Sequence, residues 1–318
     1  MGDYINWCSA IKYIAENYTH VDGRVFCSGL FLEVAEHLFE KYPGWKVAHR
    51  DEINRVHESG AGMCSPKRGS QLLNACGSHL LDLGFHYYIC INPPPKEYNK
   101  LVEIDFEGPW KWPELNPKAN YCVFTPGSTT EAREMPVHGF NELVRYAISK
   151  GLTPVFLGKA ELSENYQAKF LNYNLNCGVD LRERTTILEA VQIMRGAKFV
   201  IGLDNGLLHM AGTTNVPVIF GHNITSIEHR ELRRSKGLTI NITASEETLP
   251  CIGCQSKVRF VSKHDFRFCL FKDNQDLNKR CIYHLFKNNS KPWKDAIDQC
   301  LVDGQQFMDI EKSIAVRI

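Results

Sequence analysis

No window of the 318-residue chain approaches eighteen uninterrupted apolar residues, which argues against a membrane-spanning helix. Met1-Gly2-Asp3 begins without a basic segment leading into an apolar core, so no secretory signal is expected and the cytoplasm is the expected location. An excess of one charge is missing too. The 37 Lys and Arg residues face 36 Asp and Glu, a formal net charge of +1, which removes the argument for a broadly basic nucleic-acid surface and leaves room only for a local patch. Neither GxxxxGK(S/T) nor GxGxxG occurs, so the chain carries no P-loop and no dinucleotide-binding fingerprint. Repeats of fixed period and low-complexity tracts are absent.

What is present describes a globular protein. Apolar residues make up 43% and aromatics 11%, far from the composition of disordered chains, and the length favours two domains. Twelve cysteines spread through a chain of this size without an export signal read mostly as reduced core residues. "RVFCSG" reads as a strand, "LFLEVAEHLFEKY" as a helix with Leu30, Val34, Leu38 and Phe39 at apolar positions, and "WKVAHR" as the next strand, a βαβ unit. A second helix around "SQLLNACGSHLLDLG" leads to the apolar run "HYYICI", and "NPPPKEYN" then stops the pattern. After the aromatic, proline-rich connection "FEGPWKWPELNP", alternation resumes from Asn120 to Gly221, and "PWKDAIDQCLVDG" reads as a terminal helix. Such order predicts an α/β protein with a mainly parallel sheet covered on both faces.

Ligands of open α/β sheets gather beyond the carboxyl ends of strands, where helix N-termini present N–H groups to anions. "FVIGL" ends in such a place. Asp204 and Asn205 can cap the following helix, and Gly206 lets backbone approach a phosphate; the same residues also fit a plain capped, buried helix. The loop "TPGSTTEAREMP" occupies the equivalent position after the strand "NYCVF". Ser128, Thr129 and Thr130 offer hydroxyls, and Arg133 offers a planar cationic fork suited to phosphate, although such Ser/Thr/Gly runs are also ordinary loop chemistry.

Together these loops resemble the heptosyltransferase-like glycosyltransferase family, in the segment Asp204-Asn205-Gly206-Leu207-Leu208-His209 followed by Pro217 and Phe220-Gly221. "PGSTTEAREMP" is similar to the family's Gly/Thr-rich loop, and "VFLGKAE" to its strand ending in Gly and an acidic residue. The resemblance implies a GT-B architecture of two Rossmann-like domains with a cleft between them. It places an acceptor domain at 1–112, a nucleotide-sugar domain at 113–290 with a cysteine-rich insertion at about 250–285, and a C-terminal helix packing back at 291–318. It implies an inverting transfer from a nucleotide-sugar co-substrate without a catalytic metal. Ser128, Thr129, Arg133, Glu161, Asp204, Asn205, Gly206 and His209 would then form the donor site, with Arg133 also stabilising the departing diphosphate. His209 reads alternatively as a hydrogen-bonded core histidine.

Three departures stand out. Arg133 replaces the family's lysine, Met135 its tryptophan, and Ser28-Gly29 stands where the first strand normally ends in Gly-Asp, the aspartate being the proposed general base. Inverting transfer still requires a base near the acceptor hydroxyl. Asp22, Glu33, Asp51 and Glu52 are the candidates, and Asp51, which follows the end of a parallel strand, is the preferred one. Lys67 and Arg68 suit an anionic acceptor or an exposed loop.

Cys251 and Cys254 form a CxxC pair, followed by Cys269 after fourteen residues and Cys281 after eleven more. Four thiols so spaced can close a structural zinc site, with His264 and His284 as substitutes, or remain unligated. The family resemblance makes lipopolysaccharide core or another surface saccharide, or a glycolipid, the first acceptor expectation. A hydroxymethylated base of viral DNA is the alternative acceptor, and a non-catalytic nucleotide-binding protein the alternative of another class.

Overall fold

Strands that are apolar along their whole length need cover on both faces, and here that cover comes from helices. A computed structural model of the chain describes residues 2–20, 22–52, 79, 81–82, 85, 94–128, 133–159, 173–254, 280–304, 306–307 and 309–318. The strands are β1 (Gly23–Cys27), β2 (Trp45–His49), β3 (Tyr121–Thr125), β4 (Thr153–Phe156), β5 (Val179–Asp180), β6 (Val200–Leu203), β7 (Val218–His222), β8 (Gly237–Thr243) and β9 (Glu311–Arg317). Among the described residues β1 and β2 form one parallel pair, and the other strands form a seven-stranded sheet in the order β5-β4-β3-β6-β7-β8-β9. All its pairings are parallel. The expected α/β class and mainly parallel sheet are therefore present.

The helices are α1 (Gly2–Asn17), α2 (Leu32–Phe39), α3 (Val137–Ser149), α4 (Ile187–Gly196), α5 (Gly206–Ala211), α6 (Ile227–Arg230), α7 (Arg280–Leu285) and α8 (Lys287–Asp303). Helix α4 starts where Thr186 and Glu189 form a reciprocal capping box, each side chain bonding the other's backbone N–H. Every residue of β3, β6, β7 and β8 is buried. On β3 the side chains alternate between two cores, as a period of two requires. Tyr121 and Val123 enter a core that also holds Ile5, Val25 and Phe39 from the N-terminal half, whereas Cys122 and Phe124 join Phe140, Ile219, Ile240 and Trp293.

Strand β3 pairs with β4 on one side and β6 on the other, so successive connections leave it in opposite directions. At such a switch point the connecting loops diverge and leave a crevice beyond the strand ends, here beyond Thr125 and Leu203.

Several elements differ from the sequence reading, strands β5 and β8, unassigned from sequence, among them. Helix α1, unassigned from sequence, lies against α5. The stretch 291–318, expected to be a helix packing back, is helical only to Asp303, and residues Glu311–Arg317 form the edge strand β9 beside β8. The reason is periodicity. Ile314, Val316 and Ile318 alternate with the exposed Ala315 and Arg317, and all three pack on the second core, a pattern that only an extended chain satisfies. The expected helix around 71–84 and strand around 86–91 lie largely outside the described residues.

Candidate functional site

The site is built at the ends of β3 and β6, and its floor depends on a close approach. A Cβ on Gly202 would collide with the Thr125 hydroxyl, so glycine lets the two strand ends meet. Asn205 then bridges them, its Nδ2 donating to the Thr125 carbonyl and to Thr125 Oγ1, each at 3.0 Å. The Asn205 Oδ1 accepts from Leu207 N at 3.0 Å and Leu208 N at 3.1 Å, which makes Asn205 the N-cap of α5.

Asp204 was expected to share that capping, and it does not. It is 1% exposed, and its carboxylate is enclosed by three partners from separate parts of the chain. Oδ2 accepts from Arg133 Nη1 at 3.2 Å and from Thr225 Oγ1 at 2.9 Å, while Oδ1 lies 3.3 Å from His209 Nε2. Burial alone would raise the pKa of this acid, but the cations Arg133 and Arg230, together with His209, hold it well below the usual carboxylate range. Asp204 is thus an ionised, buried anchor that aims the Arg133 guanidinium.

The expected helix-end contribution from Gly206 is smaller than the sequence implied. Helix α5 has only six residues, and the N–H groups of Leu207 and Leu208 are occupied by the cap. Arg133, bonded to Asp204, is a cation that the described residues bring to this crevice. Ser128 is buried at the end of β3, in a loop closed where Met135 N donates to the Pro126 carbonyl at 3.1 Å. Met135 itself fills the second core, and Tyr173 donates its hydroxyl proton to the Met135 carbonyl. Gly158, at the end of β4, has a φ of +125°, and a Cβ there would come within 3.7 Å of Leu207, so the "VFLG" turn faces α5. Thr129 and Glu161 lie outside the described residues.

His209 is also 1% exposed and has two polar partners, with Asn6 Nδ2 lying 3.3 Å from its Nδ1. It is a buried, hydrogen-bonded histidine, as the core reading of this residue expected. Behind it His222, at the end of β7, stacks on Phe220 with ring centroids 4.1 Å apart and bonds Asn241 through Nε2 at 2.8 Å. Burial pushes the His222 pKa down to about 4, so the ring is neutral. Asn6, Thr225 and Arg230 were not singled out from sequence. A signal existed only for Thr225, in the polar run "HNIT" beyond the end of an apolar strand.

On the N-terminal side, the candidate acids separate. Asp22 is exposed, and Glu33 is engaged structurally, its Oε1 accepting from Leu188 N at the start of α4. Asp51 has a side chain 86% exposed, with Oδ2 3.1 Å from His49 Nδ1. Glu52 accepts from His49 N at 3.3 Å. His49 Nε2 lies 3.5 Å from where a Cβ on Gly29 would sit, so this pair is beside the Ser28-Gly29 turn.

Cys251, Cys254 and Cys281 pack on the second core. Cys269, the fourth proposed ligand, lies outside the described residues, as do His264, Lys67 and Arg68. Among the described residues no group of three or more His, Cys, Asp or Glu is arranged to hold a metal ion. No helix among them is long and apolar enough to cross a membrane.

Residues 99–259, half of the chain, match the sequence model of glycosyltransferase family 9 (heptosyltransferase). Comparison with curated proteins gives no match. Among solved structures, the iron-containing dodecameric glycosyltransferase TibC from enterotoxigenic E. coli H10407 aligns with a TM-score of 0.69 at 18% identity, over 95% of this chain and 74% of that one. TibC has also been solved in complex with ADP-D-β-D-heptose. E. coli ADP-heptose LPS heptosyltransferase II aligns with a TM-score of 0.56 at 12% identity, over 95% of this chain and 96% of that one. The family 9 glycosyl transferase from Veillonella parvula DSM 2008 aligns at 0.52 with 11% identity, over 89% and 97%. At these identities the likeness establishes the fold, parallel α/β of the GT-B kind.

Proposed function

Because the chain belongs to glycosyltransferase family 9, we propose that it transfers a sugar, with inversion, from a nucleoside-diphosphate sugar to a hydroxyl of a saccharide acceptor, and that ADP-heptose is the donor to test first. The observation that carries this reading is the Arg133–Asp204 pair at the switch point of the sheet. A departing nucleoside diphosphate gains negative charge, and a guanidinium held in advance at the crevice stabilises that charge without reorganising. Thr225 and His209 also bond Asp204, so the carboxylate that holds Arg133 in place is itself fixed on both oxygens. Ser128, Thr129 and Glu161 complete the donor side in this proposal, by the family resemblance.

For the acceptor side, the base is assigned to the His49–Asp51 pair. Asp51 N donates to His49 Nδ1 at 3.3 Å, and Asp51 Oδ2 lies 3.1 Å from the same nitrogen; in the proposed arrangement Nδ1 gives up the backbone bond and takes a proton that it donates to the carboxylate. Nε2 then offers a lone pair beside Gly29, where the resemblance places the family's aspartate. In this arrangement Asp51, first chosen as the base, orients His49, and His49 Nε2 takes the acceptor proton as the sugar–oxygen bond forms and the sugar–phosphate bond breaks.

LPS heptosyltransferase II, by its name, acts on a lipopolysaccharide, and a saccharide or glycolipid acceptor follows that lead. No observation here favours a DNA acceptor. TibC is described as iron-containing, and a structural metal on Cys251, Cys254, Cys269 and Cys281, zinc or iron, belongs to the proposal as a clip remote from the chemistry. The test is a nucleotide-sugar panel that includes ADP-heptose, with saccharide, lipid-linked and DNA acceptors in parallel, read by mass. Transfer to a saccharide that is lost in Arg133→Ala and His49→Ala supports the reading. Transfer only to DNA, or activity unchanged in both variants, overturns it.

A further inference from the structure

We infer that Asn6 is a positioning residue of the donor pocket: its side-chain amide holds His209 as the neutral, Nε2-protonated imidazole, so that Asp204 directs its charge to Arg133. The pocket's role rests on the donor reading above, while the ring state stands on geometry alone. A carboxylate only accepts hydrogen bonds, so His209 Nε2, 3.3 Å from Asp204 Oδ1, carries a proton. The group facing the other ring nitrogen is Asn6 Nδ2, 3.3 Å from Nδ1, and an amide nitrogen only donates. Nδ1 therefore keeps its lone pair, and the ring carries no charge.

The surroundings fix this arrangement. Asn6 and His209 are each 1% exposed, so water is not a substitute partner. Phe220 packs edge-on to the His209 ring at 5.6 Å and 89°, which restricts its rotation. One turn along α1 from Asn6, Ser9 Oγ donates to the Lys100 carbonyl at 2.6 Å. Residues three apart share a helix face, so two buried polar residues register α1 against α5 and the segment at Lys100.

The titratable and charged groups that bear on His209 are Asp204, His222 on β7, His79, and the cations Arg133 and Arg230 that also act on Asp204. With two arginines already serving one carboxylate, an imidazolium would be a third cation competing for it. A neutral ring leaves the Asp204 charge to the arginines. Aspartate at position 6 would reverse the arrangement, because it only accepts, and His209 would have to carry protons on both nitrogens between two carboxylates.

The experiment uses the full chain as wild type, Asn6→Asp and Asn6→Leu, with folding checked by circular dichroism. Nitrogen-15 NMR of the histidine rings, with His209 assigned by loss of its signals in His209→Gln, reads the ring state, and calorimetric titration with ADP reads the pocket. Wild type should show Nε2 protonated and Nδ1 as a hydrogen-bonded acceptor. Asn6→Asp should show imidazolium at neutral pH, Asn6→Leu an Nδ1 without its hydrogen bond, and each a roughly tenfold weaker ADP affinity, the effect expected from removing a single buried hydrogen bond. A wild-type ring protonated on Nδ1, ring states that ignore both substitutions in folded protein, or wild-type ADP affinity in both variants overturns the inference. If no form binds ADP while the ring states change as expected, the assignment of Asn6 to His209 stands and the donor reading fails.

Discussion

Arg133 and Asp204, seventy-one positions apart in sequence, meet across the ends of β3 and β6, with Nη1 donating to Oδ2 at 3.2 Å. The pair joins a cation to an anion that is fixed by two further bonds. Removing either member therefore has different consequences. Arg133→Ala leaves Asp204 with Thr225 and His209, so the melting temperature should change little while donor turnover falls by about 10²–10³, the cost of losing a charge-stabilising donor. Asp204→Ala strips three groups of a common partner and should lower both turnover and melting temperature. Steady-state kinetics alongside thermal melts separates the two outcomes.

Buried groups shape the acid limb of stability, His222, Asp204 and His79 among them. His222 has a folded pKa of about 4, below the ordinary histidine value, so between roughly pH 6.5 and 4 the unfolded chain binds more protons and stability falls as pH falls. Asp204 has a folded pKa depressed below its unfolded value near 3.9, so its contribution is present above that value and is lost only as pH drops further. His222→Gln should flatten the melting-temperature profile between pH 4 and 6.5, and Asp204→Asn the profile below about pH 4. Scanning calorimetry of both variants in a pH series checks the assignment.

Gly202 has no room for a side chain, because the Thr125 hydroxyl occupies the space. Gly202→Ala should destabilise the protein by about 1–3 kcal/mol and weaken donor use together, since strand separation would displace both Thr125 and Asn205. Wild-type melting and turnover in this variant would mean that the strand ends are not coupled to the pocket.

His49 and Asp51 should affect transfer without affecting donor binding. His49→Ala is expected to lower kcat by about 10²–10⁴, with the ADP dissociation constant unchanged, and Asp51→Asn to lower it less. A weakened ADP affinity in His49→Ala would place this pair on the donor side instead.

The cysteines invite a direct measurement. If Cys251, Cys254, Cys269 and Cys281 clip a metal, purified protein should contain about one zinc or iron per chain, and Cys251→Ser should lower that content with a loss of melting temperature. Elemental analysis returning no metal removes the clip.

Much of the donor half was legible because its signals are local. The apolar runs "NYCVF", "KFVIG" and "VPVIFG" predict buried parallel strands, and those strands are present as β3, β6 and β7. The end of the chain was misread because the strong helical pattern around Trp293 was extended past Asp303, although the alternating Ile314, Val316 and Ile318 already carried a strand period. Asn6 and Arg230 left no sequence signal. Polar residues on a helix look alike whether they face water or a buried ring, and only packing distinguishes them.

By itself, the sequence determined β1 to β4, β6 and β7 and the loops that follow β3 and β6, because periodicity and glycine placement are properties of neighbouring residues. The tertiary structure decided the identity of the partners. Asp204 and Asn205 are adjacent in sequence and chemically similar, yet one is enclosed by Arg133, Thr225 and His209 while the other caps α5 and ties it to Thr125. Successive side chains leaving a strand point in different directions, so what each one reaches depends on elements that arrive from distant parts of the chain.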